Sequence, residues 1–303
     1  MSTVNGPGLP SDVEGLRAGL EAKGYLADDG LATALFLAVR MGQPVLLEGE
    51  PGVGKTEAAK SLASTLDTPL LRLQCYEGLT AAEAIYEWNY PRQLLAIRLA
   101  EAQGLALHEA DLFGPEYLLP RPLLAAIDHP GPRPAVLLID EVDRADDEFE
   151  AFLFELLAEG TVTIPELGTR TAAVRPVAVL TSNRTRDLHD ALKRRCLYHW
   201  IRYPTPERVA EIIRRRVPSA SESLARRVAL SVERLRALDL YKPPGVAEAI
   251  SWTSALEALG LSGGPDAATP AGATVEHTLG AVLKYDEDLA KARDAGLALL
   301  GEG

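Results

Sequence analysis

The chain has 303 residues, 47% hydrophobic and 24% charged, which is long and apolar enough for two domains with cores of their own. Lys plus Arg is 31 against 43 for Asp plus Glu, a formal net charge of −12, and this speaks against nucleic-acid binding, which depends on neutralising phosphates. Two distant cysteines, Cys75 and Cys196, without C-x-x-C spacing, exclude a disulfide framework or zinc signature and read as small buried apolar side chains in a reducing compartment.

Residues 1–11, rich in Gly, Pro and Ser, read as a flexible N-terminus. The stretch Met1 to Leu16 has neither the basic nor the apolar segment of a secretory signal. The longest apolar run, Leu31 to Val39, falls well short of the ~20 residues that span a bilayer. A cytoplasmic protein with no membrane span is expected. Periodicity predicts helices over Asp12–Lys23 and Gly30–Met41, with a Gly24-Tyr25 turn between them. Short apolar runs then alternate with helical stretches: Pro44–Leu47, Leu70–Leu73, Ala135–Ile139, Val177–Thr181 and His199–Arg202. Continuous Val/Leu/Ile runs separated by helices predict a five-stranded parallel sheet with helices on both faces, within an α/β domain over 12–203.

From Pro204 the strands stop, and 204–303 reads as a smaller α-helical domain. Thr205-Pro206 is an N-cap followed by proline at the first helical position. Ser219 and Glu222 have capping-box spacing. Helices fit Gly245–Leu259 and Thr274–Asp294, with a Gly/Pro/Ala-rich break at Leu261–Gly272. The histidines His108, His129, His189, His199 and His277 are scattered without metal-ligand spacing and are assigned no chemistry.

The first strand runs into Gly49-Glu50-Pro51-Gly52-Val53-Gly54-Lys55-Thr56-Glu57, a full G-x-x-x-x-G-K-[ST] match followed by a helix over Ala58–Leu66. Glycines let phosphate approach the backbone, and the loop N–H groups with the helix N-terminus form an anion cradle. Lys55 is then expected at the β/γ-phosphates of ATP and Thr56 on Mg²⁺. The strand Val136–Ile139 delivers Asp140-Glu141 at its tip. Asp140 is expected to hold Mg²⁺ through water, and Glu141 to orient and deprotonate the attacking water. The next strand ends in Asn183, an amide suited to holding that water and equally suited to a turn. Beyond it, Asp190-Ala191-Leu192-Lys193-Arg194-Arg195-Cys196 offers Arg195, or else Arg194, as an arginine finger for a neighbouring subunit. The alternative for that pair is a basic helix end favoured by the dipole. An inserted finger requires a ring.

These elements in this order resemble the AAA+ superfamily: a P-loop core with a helical lid behind it. Asp140-Glu141-Val142-Asp143-Arg144-Ala145, the helix Phe152–Glu159 and the hairpin pattern Thr161–Gly168 resemble the MoxR family. Gln74-Cys75-Tyr76-Glu77-Gly78, Tyr86–Arg92 and Arg195–Trp200 are similar to its CoxD-like subgroup. The resemblance implies an ATP-driven chaperone, usually a hexameric ring, working with a von Willebrand factor A domain protein. Its implied client is a metalloenzyme, a molybdenum-containing carbon monoxide dehydrogenase in that subgroup. One departure stands out: the family's lid arginine would fall near Glu248, with Lys242 as the nearest cation, and no lid residue is named as a ligand. Tyr25 and Leu26 are read as adenine packing or simple core, and Tyr86, Trp88 and Tyr90 as a partner-gripping face or domain packing. A nucleotide-dependent scaffold with little turnover and a nucleic-acid-directed motor are the alternatives to a remodelling ATPase. Glu141 disfavours the first and the acidic charge the second.

Overall fold

The structure, a computed structural model, describes residues 9–106, 108–260 and 272–295. The chain gathers into two compact units. One runs to Lys23 and resumes over Ala27–Glu48 and Thr56–Trp200; the other joins Gly24–Leu26 and Gly49–Lys55 to the chain from Ile201 onward.

In chain order the elements begin α1 (Val13–Ala22), α2 (Asp29–Met41), β1 (Val45–Gly49), α3 (Lys55–Leu66) and β2 (Leu70–Gln74). Next come α4 (Ala81–Ile85), β3 (Tyr86–Trp88), α5 (Tyr90–Gln103), β4 (Leu118–Pro120), α6 (Pro122–Ile127), β5 (Val136–Asp140) and α7 (Asp147–Glu159). Then follow β6 (Thr161–Ile164), β7 (Gly168–Thr171), β8 (Val177–Ser182), α8 (Asp190–Arg195) and β9 (Leu197–Ile201). The helices α9 (Pro206–Arg216), α10 (Glu222–Arg236), α11 (Val246–Ala258), α12 (Gly272–Val282) and α13 (Asp286–Asp294) complete the described chain.

The main sheet is five-stranded and parallel, in the order β2-β5-β8-β1-β9. Strands β1, β5 and β8 are buried throughout, which is why they read as unbroken apolar runs rather than alternating ones. Leu46, Leu137, Ile139 and Leu180 pack with Phe149, Leu153, Leu123 and Ile127 in one core. Registers Gln74↔Asp140, Ile139↔Leu180 and Leu47↔Thr181 align the carboxyl ends of neighbouring strands. Ligands bind at such ends in open α/β sheets. The other unit buries Trp252, Ile213, Leu224, Val228 and Leu256, and the Trp252 indole N–H donates to the Thr278 hydroxyl at 2.7 Å.

Several expectations are revised. Every predicted strand exists, with boundaries moved by one or two residues. The Ser219/Glu222 capping box does not form. Ser219 is taken into a turn closed by the Ala220 N–H on the Val217 carbonyl, and Ser221 caps α10 instead, accepting the Leu224 N–H at 3.1 Å. The single helix Thr274–Asp294 is two, α12 and α13. The break lets Asp288, fully buried, accept the N–H groups of Tyr241 and Lys242 at 2.7 and 3.1 Å. The expected flexible start, for residues 1–8, and the expected break over Leu261–Gly272, for residues 261–271, lie outside the described residues. Between β2 and β5 lies the segment from α4 to α6, which periodicity did not resolve. Within it Trp88 is buried and meets Tyr86 and Phe113 edge-on, at 5.7 and 5.2 Å between centroids, while Tyr90 stays exposed.

Candidate functional site

The loop after β1 is built on close backbone approaches. A Cβ on Gly49 would stand 2.4 Å from the Ile201 carbonyl oxygen; Gly52, at φ 79°, would place one 2.9 Å from the Gly245 Cα. Neither position tolerates a side chain, so packing by itself requires glycine at both. Val53 is buried, and the Tyr25 ring lies against Gly54. The buried Lys55 ammonium donates to the carbonyls of Gly49 and Glu50 at 2.7 and 2.8 Å, which holds it over the loop's own backbone. The Gly52 carbonyl accepts the Val246 N–H at 3.0 Å, and Glu50 pairs with Arg236. Arg236 also donates to the Pro244 carbonyl at 2.9 Å and sits 3.8 Å over the Tyr203 ring. Glu248 accepts the Gly245 N–H at 3.0 Å, capping its own helix. Glu57, in the first turn of α3, has Lys60 at 3.6 Å.

At the tips of β5 and β8 the polar groups converge on one carboxylate. Thr56, early in α3, donates its hydroxyl to Asp140, 3.0 and 3.2 Å from the two oxygens. The Thr181 hydroxyl donates to Asp140 Oδ1 at 2.5 Å and accepts the Glu141 N–H at 2.9 Å. Arg72 donates Nε and Nη2 to Asp140 Oδ2 at 3.0 and 2.6 Å. Glu141 adopts left-handed backbone, φ 55°, an uncommon state for a residue with a side chain that clusters at functional sites. Its carboxylate pairs with Arg144 at 2.8 Å. Beside this cluster lies Cys75, whose thiol is pushed up to about 12 by burial and, secondarily, by the charges of Asp140, Asp143, Glu141 and Glu150.

Asn183 follows β8 directly, and its backbone is pinned from below. Asp143, buried, accepts the N–H of Asn183 at 3.2 Å, the N–H of Thr185 at 2.8 Å and the Thr185 hydroxyl at 2.7 Å. Arg194 and Arg195 are exposed in the last turn of α8. The Arg195 guanidinium lies 4.5 Å over the Phe154 ring, a stacking that extends the side chain along α7. The start of α8 is anchored by buried Glu150, which pairs with Arg186 and accepts the His189 N–H at 2.8 Å.

Sequence reasoning therefore missed Arg72, Thr181, Asp143, Arg144 and Glu150. Asp143 and Arg144 carried a signal, since both lie within the Asp140–Ala145 segment; Arg72 carried none. The donors present suit a magnesium nucleotide. Thr56 and Asp140, an alcohol and a carboxylate, are hard oxygen ligands in mutual hydrogen-bond reach. Among the described residues no group of three or more His, Cys, Asp and Glu side chains could hold a metal ion by itself, and no helix is long and apolar enough to cross a membrane.

Residues 44–196 match the AAA domain family, dynein-related subfamily. No curated protein matches the chain. Among solved structures, the Thermotoga maritima RuvB Holliday junction branch migration motor is similar at 18% identity and a TM-score of 0.42, over 95% of this chain and 72% of that one. The phosphate-loop sequence, the parallel sheet and a family match spanning half of the chain lead to one statement: the chain belongs to the AAA family and is an ATPase.

Proposed function

We propose that this ATPase is a MoxR-type remodelling machine, working as a ring on a client protein, and that 12–203 is its nucleotide-binding domain and 204–303 its lid. The observation that carries hydrolysis is the Asp140 carboxylate, met by the Thr56 and Thr181 hydroxyls with Glu141 next in line. In this reading the N–H groups of Gly49, Glu50, Gly52, Val53 and Gly54, with the helix start at Thr56 and Glu57, cradle the phosphates. Pro51 shapes the turn, and Lys55 neutralises the β/γ oxygens. Thr56 and Asp140 hold Mg²⁺, which when bound offsets charge on the phosphate oxygens. Glu141 accepts a proton from the attacking water, and the Asn183 amide orients that water. Arg195, or Arg194 beside it, meets the phosphates of a neighbouring subunit.

The MoxR assignment is supported by the hairpin β6–β7, inserted between α7 and β8 and paired Thr161↔Thr171 through Ile164↔Gly168. It is supported too by the Asp140–Ala145 segment. On that assignment the partner is a von Willebrand factor A domain protein, and the client a molybdenum-containing dehydrogenase in the cytoplasm. The purified chain should hydrolyse MgATP, and turn over faster with the cofactor-free form of such a dehydrogenase. Lys55→Ala should weaken MgATP binding by roughly a hundredfold in a calorimetric titration, since a charged hydrogen-bond partner is lost. Binding unchanged by Lys55→Ala would remove the phosphate loop from its role; turnover indifferent to the dehydrogenase would point to another client.

A further inference from the structure

The Asp140 side chain is 4% exposed, and a buried carboxylate without a counter-charge is costly. Arg72 supplies that charge from the edge strand β2. In register Arg72 stands opposite Leu138, and Asp140 shares the Leu138 face two residues along. The arginine therefore leans one pair toward the carboxyl end to reach it, and its Nη2 also donates to Gln74 Oε1 at 2.5 Å. Both contacts with Asp140 fall on Oδ2, whereas Thr181 takes Oδ1. The two partners differ in freedom: the Arg72 side chain is 47% exposed and can swing into water, but Asp140 cannot.

We infer that Arg72 is a resident counter-ion for the magnesium ligand Asp140, holding that carboxylate before the metal arrives and yielding as it loads. The inference rests on the reading of Asp140 as a magnesium ligand. A guanidinium and a dication on one carboxylate repel each other, so metal loading is an exchange of cations. Arg72 is thus a positioning residue, acting through Asp140, and it lowers the affinity of the site for magnesium.

The test titrates Mn²⁺ into the full chain loaded with a non-hydrolysable ATP analogue, with free Mn²⁺ read by electron paramagnetic resonance. Arg72→Gln should bind Mn²⁺ about tenfold tighter, the order expected when a unit charge a few ångströms away is deleted. Arg72→Lys, which keeps the charge but not the two-point grip, should fall between Arg72→Gln and the parent chain, and it tests the same point should Arg72→Gln fold poorly. Asp140→Asn should bind Mn²⁺ more weakly. In metal-free thermal melts Arg72→Gln should lose stability, and adding Asp140→Asn should restore part of it, because no stranded charge remains. If Asp140→Asn weakens Mn²⁺ binding while Arg72→Gln leaves it unchanged or weaker, Arg72 is only a structural partner and the inference fails. If Asp140→Asn leaves Mn²⁺ binding unchanged, the assignment of Asp140 to the metal falls, and the inference with it.

Discussion

Cys75 follows β2 directly, its N–H bonded to the Asp140 carbonyl at 2.9 Å, so its thiol looks onto the acidic tip of β5. Burial and the neighbouring carboxylates disfavour the thiolate, and Cys196 is likewise pushed up to about 12 by burial alone. The thiolate is the nucleophile, so both cysteines should resist iodoacetamide at pH 8 in the folded chain and react after denaturation, as followed by intact mass. Native alkylation of Cys75 at the rate of a free thiol would contradict the burial and charge placed around it. Among single residues, a motif that fixes both residue type and spacing was enough to single out Lys55, Thr56, Asp140 and Glu141, and the structure brings Thr56 and Asp140 within hydrogen-bond reach. The sequence was opaque where a side chain serves through a strand neighbour. Arg72 lies 68 positions from Asp140 along the chain, and nothing local distinguishes it from a solvated arginine on an edge strand.

Among the elements, β9 and α2 carry a pH-dependent joint. The His199 ring lies so close under α2 that a Cβ on Gly30 would sit 2.9 Å from its Cε1. Nε2 is buried with no hydrogen-bond partner among the described residues, although Asp28 Oδ1 stands 3.7 Å away. Burial lowers the imidazole pKa below its ordinary 6.5, and Asp28 opposes that shift only in part. Above pH 6.5 the ring is neutral in both folded and unfolded chains, and its contribution to stability is fully present. As pH falls below 6.5 the unfolded chain takes up the proton first, so stability drops until the folded pKa is passed. The melting temperature should therefore fall less from pH 7.5 to 5.5 in His199→Gln than in the parent chain; equal falls would show that His199 is not a source of the slope. Elements differ in legibility for a physical reason. Strands β1, β5 and β8, apolar on both faces, announce themselves. In α5 the pattern is inverted, with Gln93 buried and bonded to the Leu112 carbonyl at 2.6 Å while Leu94, Leu95 and Leu99 are exposed. No periodicity rule finds a helix whose polar residue faces inward. The break before α13 was hidden for a similar reason, since buried Asp288 reads as one more acidic residue of a first turn.

For the whole molecule, the proposed ring has consequences that a lone subunit does not. Turnover per subunit should rise with protein concentration, because each site then gains a neighbour's Arg195. Arginine fingers contribute roughly 10³–10⁵ in rate, so Arg195→Ala should be nearly inactive. Mixed with Lys55→Ala, it should regain part of its activity, because some interfaces then unite an intact phosphate loop with an intact arginine. Mixtures shown by native mass measurement to co-assemble, yet still inactive, would rule out action in trans. The acidic charge, the phosphate-loop motif and the five strands of a parallel sheet were readable in the whole chain, whereas their order in the sheet and the client were not, since neither strand pairing nor a recognition surface leaves a fixed spacing in a sequence. Everything proposed for the ring depends on Glu141 acting as the base that turns a nucleotide binder into a hydrolase. Single-turnover hydrolysis of radiolabelled ATP by Glu141→Gln isolates that role. The amide keeps the shape of the side chain but loses the proton acceptor, so the variant should bind MgATP as the parent does and hydrolyse it slower by roughly 10²–10⁴-fold. Hydrolysis at the parent rate would show that Glu141 is not the base.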